Sequence, residues 1–363
     1  MSNNTIGSAQ YVAQVRNLAG QIIEEISAGE ILEGEWTRSV SSTSHAHISI
    51  PLVGNMEETC CKYVNLGKGI PAYELWLWRD AGNYDPMELV WLGVITDISI
   101  EQGNLVSIDA NDHSYWLSRR LLPTSTHVDE DVNSIANDLV SAALAVNNPG
   151  GLQILWEPAG VVGEKSPVET DGSKVLDAVT DVIRGVSYWT CNLKQMRIGV
   201  TTSIAWQFTD ADIPETPPLS WSADNYATAV FARTSTDGIF GYEGGINTET
   251  FGTDILLESV LDSNTADASQ AQVFAEKRIE NLLTTGPRLE ALRSSLSPQS
   301  GVKLDQLWPG AKCTALFDAY CDPTLRYLYL TQVECTWNSD DEDIRLELSP
   351  NIGDSNDPRV AGA

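Results

Sequence analysis

The chain has 363 residues, with 50 Asp and Glu against 22 Lys and Arg, for a formal charge of −28. This length predicts about two to three domains, and the acidity excludes a protein that grips phosphate backbones, which takes clustered Lys and Arg. The sequence holds no apolar run of about 18 residues, so no helix is expected to cross a bilayer.

Residues 1–30 read as an approach segment. Met1-Ser2-Asn3-Asn4-Thr5 lacks the basic stretch and apolar core of a secretory signal, so the chain is expected to begin near Met1 and to fold in a cytoplasm. Ile22, Ile23 and Ile26 could make one poorly capped helical turn. From Ile31 the pattern changes to alternation. Trp36, Arg38 and Val40 share one parity, and His45, His47 and Ser49 alternate with Ala46, Ile48 and Ile50 toward Pro51, which describes a hairpin with one buried face. Strands follow over residues 73–79 and 89–95, around a turn at Asp80-Ala81-Gly82-Asn83, then over 98–100 and 105–108. Gly103-Asn104, both tolerant of positive φ, suits the last hairpin turn. Residues 112–121 read as a short helix or turn ending in Arg119-Arg120.

The spacing of Ile135, Leu139, Ala143 and Val146 predicts a helix over 131–146, with acidic residues 129–131 at its positive end. After a strand at 152–156, Val175, Val179, Val182 and Ile183 predict a second helix over 173–184, with a Ser cap and a terminal Gly185. Strands are expected at 186–191 and 195–200, then, beyond an exposed connection at 210–218, at 227–233, 239–242 and 255–260. A third helix over 268–283 should stop before Gly286-Pro287. The closing strands lie at 312–317, 325–335 and 344–348, and the polar residues after Asn351 read as a loose tail. Eleven Trp with many Thr, Ser and Val favour strands. The expected fold class is mainly β with α+β parts.

The residue types that could carry chemistry have plain structural explanations. His45 and His47 share a strand face at metal-ligand spacing, but no third ligand stands near them in sequence. Cys60-Cys61 would point to opposite faces of a strand, and the six Cys, with no CxxC pair, read as reduced, mostly buried thiols. Asp109, Asp112, His113 and Ser114 crowd into six residues and suit a capped turn better than a hydrolytic constellation; no GxSxG, HExxH, P-loop or GxGxxG is present. The acidic run at 339–343 lacks the spacing of a calcium loop and reads as a hairpin turn between Trp337 and Ile344. Trp76, Trp78, Trp91 and Trp116 could stack on sugars, but Trp76 and Trp78 share a strand face and fit a barrel core or a subunit contact better. No catalytic, cofactor or metal residue is assigned.

Two stretches carry a combined pattern. One runs from Val90-Trp91-Leu92-Gly93-Val94-Ile95-Thr96-Asp97-Ile98 through Ile108-Asp109-Ala110-Asn111-Asp112 to Leu117-Ser118-Arg119-Arg120, with Trp36-Thr37-Arg38 and Ile48-Ser49-Ile50-Pro51 upstream. The other is Trp308-Pro309-Gly310-Ala311, Tyr327-Leu328-Tyr329-Leu330 and a strand ending Leu346-Glu347-Leu348-Ser349-Pro350. Both resemble phage tail-hub proteins, the family of contractile-phage baseplate hubs and siphophage minor tail proteins. The middle, 149–301, is similar by arrangement of elements more than by residues.

The resemblance implies two small tube-like β-barrel domains plus helix-containing peripheral domains. The segments would be an approach segment (1–30), a first barrel (31–120), an α+β peripheral domain (121–185), a second barrel (186–265), a helix with a closing β unit (266–350) and a flexible tail (351–363), with no lytic module after it. It further implies a non-enzymatic homotrimeric ring at the virion tail tip, assembled in the host cytoplasm. Its partners would be a distal tail protein, the tape measure protein and other tip proteins, and DNA would pass its acidic lumen without specific binding. Trp36, Trp76, Trp78, Trp91, Arg119, Arg120 and Trp308 are the structural or interface candidates. The alternatives are a β-rich carbohydrate-binding receptor-recognition protein and, more remotely, an acidic hydrolase.

Overall fold

The computed structural model describes residues 7, 9–52, 56–82, 86–101, 105–122, 127–165, 173–184, 186–199, 204–213, 229–234, 239–244, 258–262, 271–273, 275–276, 292–298, 300–316 and 326–349. The chain opens with strands β1 (Gln10–Asn17), β2 (Ile22–Ile26), β3 (Glu33–Ser39) and β4 (His45–Pro51), then helix α1 (Met56–Gly67). Strands β5 (Tyr73–Asp80), β6 (Glu88–Glu101) and β7 (Leu105–Asn111) lead to the one-turn helix α2 (Tyr115–Ser118). The middle holds β8 (His127–Asp131), α3 (Val132–Val146), β9 (Gln153–Trp156), β10 (Val162–Lys165), α4 (Val175–Ile183), β11 (Trp189–Asn192) and β12 (Gln195–Ile198). Strands β13 (Ile204–Thr209), β14 (Ala229–Arg233), β15 (Ile239–Gly244), β16 (Glu258–Asp262) and β17 (Leu292–Ser295) follow. The chain then closes with β18 (Lys312–Leu316), β19 (Arg326–Asn338) and β20 (Glu342–Ser349). The fold is mainly β with some α.

Twelve strands form one sheet, in the order β13-β18-β19-β3-β4-β7-β6-β5-β1-β2, with β20 on β19 and β17 on β20. Period-two alternation builds it. On β5, Leu75, Leu77 and Arg79 are buried while Trp76 and Trp78 stay partly exposed on the other face. The sheet curls over one apolar core. Across that core Tyr11 of β1 stacks on Trp337 of β19 at 4.1 Å between centroids. There too Arg79 of β5 grips Glu342 of β20 with Nε–Oε1 at 2.7 Å and Nη2–Oε2 at 2.8 Å. Gly34 on β3 sits opposite Trp337, and a Cβ there would lie 2.2 Å from the indole Cζ2, so the ring fills the space that the glycine leaves. A second core gathers α3, α4 and the β11-β12-β9 sheet, with Val230 and Ala232 of β14 packed into it.

Several expectations change. The approach segment contains two strands of the main sheet: Tyr11, Ala13 and Val15 are buried in alternation with polar Gln10, Gln14 and Arg16, and Ile22 and Ile26 belong to a strand, not a helical turn. Residues 56–67 form a helix that buries Tyr63 and Leu66, one turn apart, so Cys60 and Cys61 lie on α1. The strands expected to make a second barrel over 186–265 are distributed among three sheets: β11 and β12 pair with β9, β13 joins the main sheet, and β14–β16 form a sheet of their own. The closing β unit joins the opening one directly, through β19 on β3. In the connection at 210–218, Asp212 and Ile213 are buried, and the Asp212 carboxylate accepts from Ser300 Oγ at 2.7 Å.

The helix over 131–146 appears as α3, capped by Asp131, whose carboxylate accepts from Asn133 N and Ser134 N. The second helix starts one residue past Ser173, at a Lys174 cap with no side-chain hydrogen bond. Of the third helix, residues 271–273 and 275–276 are helical. Its remainder, the Gly103-Asn104 turn, Gly185, Cys321 and the tail after Asn351 lie outside the described residues.

Candidate functional site: a charged junction beneath an aromatic ladder

The two cores meet where the β11–β12 hairpin abuts the main sheet. Ser41 N donates to Trp189 O at 2.7 Å, Thr190 Oγ1 to Ser39 O at 3.2 Å and Tyr188 Oη to Gly310 O at 2.5 Å. The hairpin turns on Leu193 and Lys194, both at positive φ (45° and 65°). That geometry suits a tight hairpin but costs a non-glycine residue energy. It carries the Lys194 ammonium to Glu74 of β5, Nζ–Oε1 2.7 Å. His113 Nε2 meets the same oxygen at 2.9 Å, and Trp76 Nε1 donates to Oε2 at 3.0 Å.

Glu74 and His113 are fully buried. Burial alone raises the Glu74 carboxyl, but the hydrogen bonds from His113, Lys194 and Trp76 outweigh it and hold the group below its ordinary value. Above this knot lies an aromatic ladder. Arg16 stands over the Trp76 ring at 4.1 Å and Lys194 at 5.7 Å. Trp78 stacks beside it at 6.3 Å, its Nε1 donating to Gln14 Oε1 at 3.1 Å.

The Asp112, His113 and Ser114 side chains do not converge. Asp112 accepts backbone N–H groups from Ser44 (2.7 Å) and Ser114 (2.8 Å), His113 turns to Glu74, and Ser114 Oγ donates to Thr43 Oγ1 (3.1 Å). Burial pushes the Asp112 carboxyl up despite those bonds, and burial with nearby Asp112 pushes the Cys191 thiol up. The histidine pair on β4 is engaged with neighbours: His47 Nδ1 lies 2.8 Å from Asp109 and Nε2 3.0 Å from Ser49 Oγ, while His45 Nδ1 lies 3.1 Å from Thr37 Oγ1. The acidic run forms the β19–β20 turn, where Asn338 Oδ1 accepts from Asp340 N and Asp341 N.

Among the interface candidates, Trp36 and Trp91 fill the first core. Trp91 Nε1 donates to Thr37 O at 3.1 Å, and Arg38 lies 4.9 Å over Trp36. Arg38 bonds the carbonyls of Val90, Leu304 and Leu307, and burial lowers its guanidinium to about 10. Arg119 is exposed, whereas Arg120 donates to Ala143 O near the end of α3. Trp308 lies 3.9 Å beneath Arg197. Glu74, Lys194 and Arg79 were not singled out in the sequence, and Glu342 was read there only as part of the acidic turn, whereas its carboxylate points into the first core. His127, far in sequence from His45 and His47, lies with Glu130 and Asp138 so that their ligand atoms fall within 4.8 Å of one another and could hold a metal ion. No helix among the described residues is long and apolar enough to cross a membrane.

No protein-family model matches the sequence, and no curated protein matches it. Solved structures do. A tail protein from Neisseria meningitidis MC58 superimposes with a TM-score of 0.60 at 12% identity, over 94% of this chain and 96% of that one. The 43 kDa tail protein of prophage MuSo2 from Shewanella oneidensis gives 0.59 at 10% identity, over 95% and 98%. Prophage tail protein gp18 from Listeria monocytogenes EGD-e gives 0.55 at 9%, over 93% and 94%. The chain has the fold of phage tail proteins.

Proposed function

We propose that the chain is a structural component of a phage tail and, within the tail, a hub of three copies that joins the tail tube to the distal tip proteins and leaves a passage for DNA. The observation that carries this reading is the shared fold across nearly the whole chain, with 94% of it superimposing on a tail protein. The rigid joining of opening and closing strands into one sheet suits a load-bearing part, and the −28 charge suits a passage that repels phosphate. A distal tail protein and a tape measure protein are the expected neighbours, in a virion tail assembled in the host cytoplasm. The role is non-enzymatic, so the purified chain should show no hydrolysis of peptidoglycan or polysaccharide above background. A reconstruction of the intact tail tip tests the hub: three copies in one ring are expected, and six copies or a lone peripheral copy would overturn it.

The partly exposed Trp76–Trp78 stack favours one second reading, a carbohydrate-binding face for receptor recognition. Saccharide-dependent quenching of tryptophan fluorescence, lost in Trp78→Ala, would support it over the hub.

A further inference from the structure

We propose that β2 of one copy pairs in parallel with β13 of the next, so that the main sheet runs on from subunit to subunit. The inference rests on the multi-copy reading above and names the edges that carry it. Among the described residues, β2 pairs with β1 alone and β13 with β18 alone, so each presents an open row of backbone donors and acceptors at one end of the sheet. Both edges expose aliphatic side chains alongside the exposed Glu25 and Gln207: Ile22 is 50% accessible, Ile23 45% and Ile204 52%. An open edge bearing aliphatic side chains is a standing invitation to a further strand.

The strand directions specify the pairing. From β13 to β18 the pairing is parallel, and each of the eight later steps to β2 is antiparallel. An even number of reversals leaves β2 and β13 pointing the same way. Repetition of the sheet about an axis along its strands therefore brings β2 against β13 in parallel.

The side chains call independently for the same arrangement. Parallel alignment sets Ile22 and Ile23 beside Ile204 and Ala205, and Glu25 beside the Gln207 amide. It also sets Ile26 beside Phe208, both buried and of one parity, so the inward faces stay continuous. Pairing β2 with a second β2 would instead bring Glu24 and Glu25 of both copies together, a like-charge cost. β13 carries no acidic residue, and Glu24 is already paired with Lys62 at 2.6 Å.

The test uses the full chain with Cys60 and Cys61 replaced by Ser. Ile22→Cys with Ile204→Cys should form an intersubunit disulfide under mild oxidation, closing a covalent ring, because neighbouring strands hold Cα atoms at disulfide range. Each single variant should give only background. In the unoxidised chain, Ile23→Lys should weaken association by about tenfold to hundredfold, the loss of one buried aliphatic contact, with an unchanged circular dichroism spectrum. A covalent dimer from Ile22→Cys alone would show β2–β2 pairing and overturn the proposal. A stable trimer that never cross-links would overturn these edges while leaving the hub reading intact. A chain monomeric at every concentration would overturn both.

Discussion

Single side chains decide whether the first core closes. Arg79 and Glu342 are 1% and 0% exposed and doubly hydrogen-bonded, and Tyr11 Oη adds a further donor to the same carboxylate. Breaking such a pair strands a charge away from water, so Glu342→Gln should cost about 3–5 kcal/mol in denaturant unfolding. Tyr11→Phe, which removes one donor and leaves the ion pair, should cost less, about 1–3 kcal/mol; equal losses would mean that the tyrosine carries the cluster. Trp91→Asp places a carboxylate where the indole is 2% exposed, and the expected result is a chain that does not fold. A soluble Trp91→Asp protein with a native spectrum that still joins infectious tails would show that this strand is not core.

At the scale of elements, the β11–β12 hairpin joins the two cores, and its charge makes it sensitive to acid. Glu74 is held below its ordinary value in the folded chain. Its contribution is therefore complete above the unfolded value, about 4.3, and is lost as pH falls through the folded value. Glu74→Gln should be less stable than the parent near neutrality, and the two melting curves should converge as pH drops below about 4. A gap that stays constant through the acid range would show that Glu74 acts by shape alone.

Much of the element pattern was legible beforehand. Alternation marked β3, β4 and β5, and the apolar stripe of Ile135, Leu139 and Ala143 marked α3, because a face buried against one core leaves a period in the chain; Val146, read onto the same stripe, is instead exposed in the last turn of the helix. α1 escaped notice because its apolar stripe is thin, with Tyr63 and Leu66 buried among its described side chains. β1 escaped because apolar Val12, on the outer face, blurs the alternation of buried Tyr11, Ala13 and Val15. The junction escaped for a different reason. Glu74, His113 and Lys194 come from three separate segments, and Lys194 sits in a turn without glycine, so neither spacing nor turn chemistry announces it. The pairing of β19 with β3 likewise joins residues some 300 positions apart, as in Gln332 against Ser39, and long-range register leaves no local signal.

At the scale of the whole molecule, charge makes the last prediction. The chain carries 50 acidic against 22 basic side chains, and several of the basic ones are committed: Arg38 to carbonyls, Arg79 to Glu342, Lys194 to Glu74, Lys62 to Glu24. Binding to a phosphate backbone draws its strength from counterions released by free Lys and Arg, and here neither the net charge nor these committed cations supply it. At about 10 mM salt the screening length reaches about 30 Å, so repulsion between this surface and a duplex is then at its strongest. The purified chain should leave the mobility of double-stranded DNA unchanged at low salt, and raising the salt should not bring binding on. Retardation at low salt that fades as salt rises would reveal a basic track hidden within the acidic total. The acidity could then no longer be read as the lining of a passage along which DNA slides without sticking.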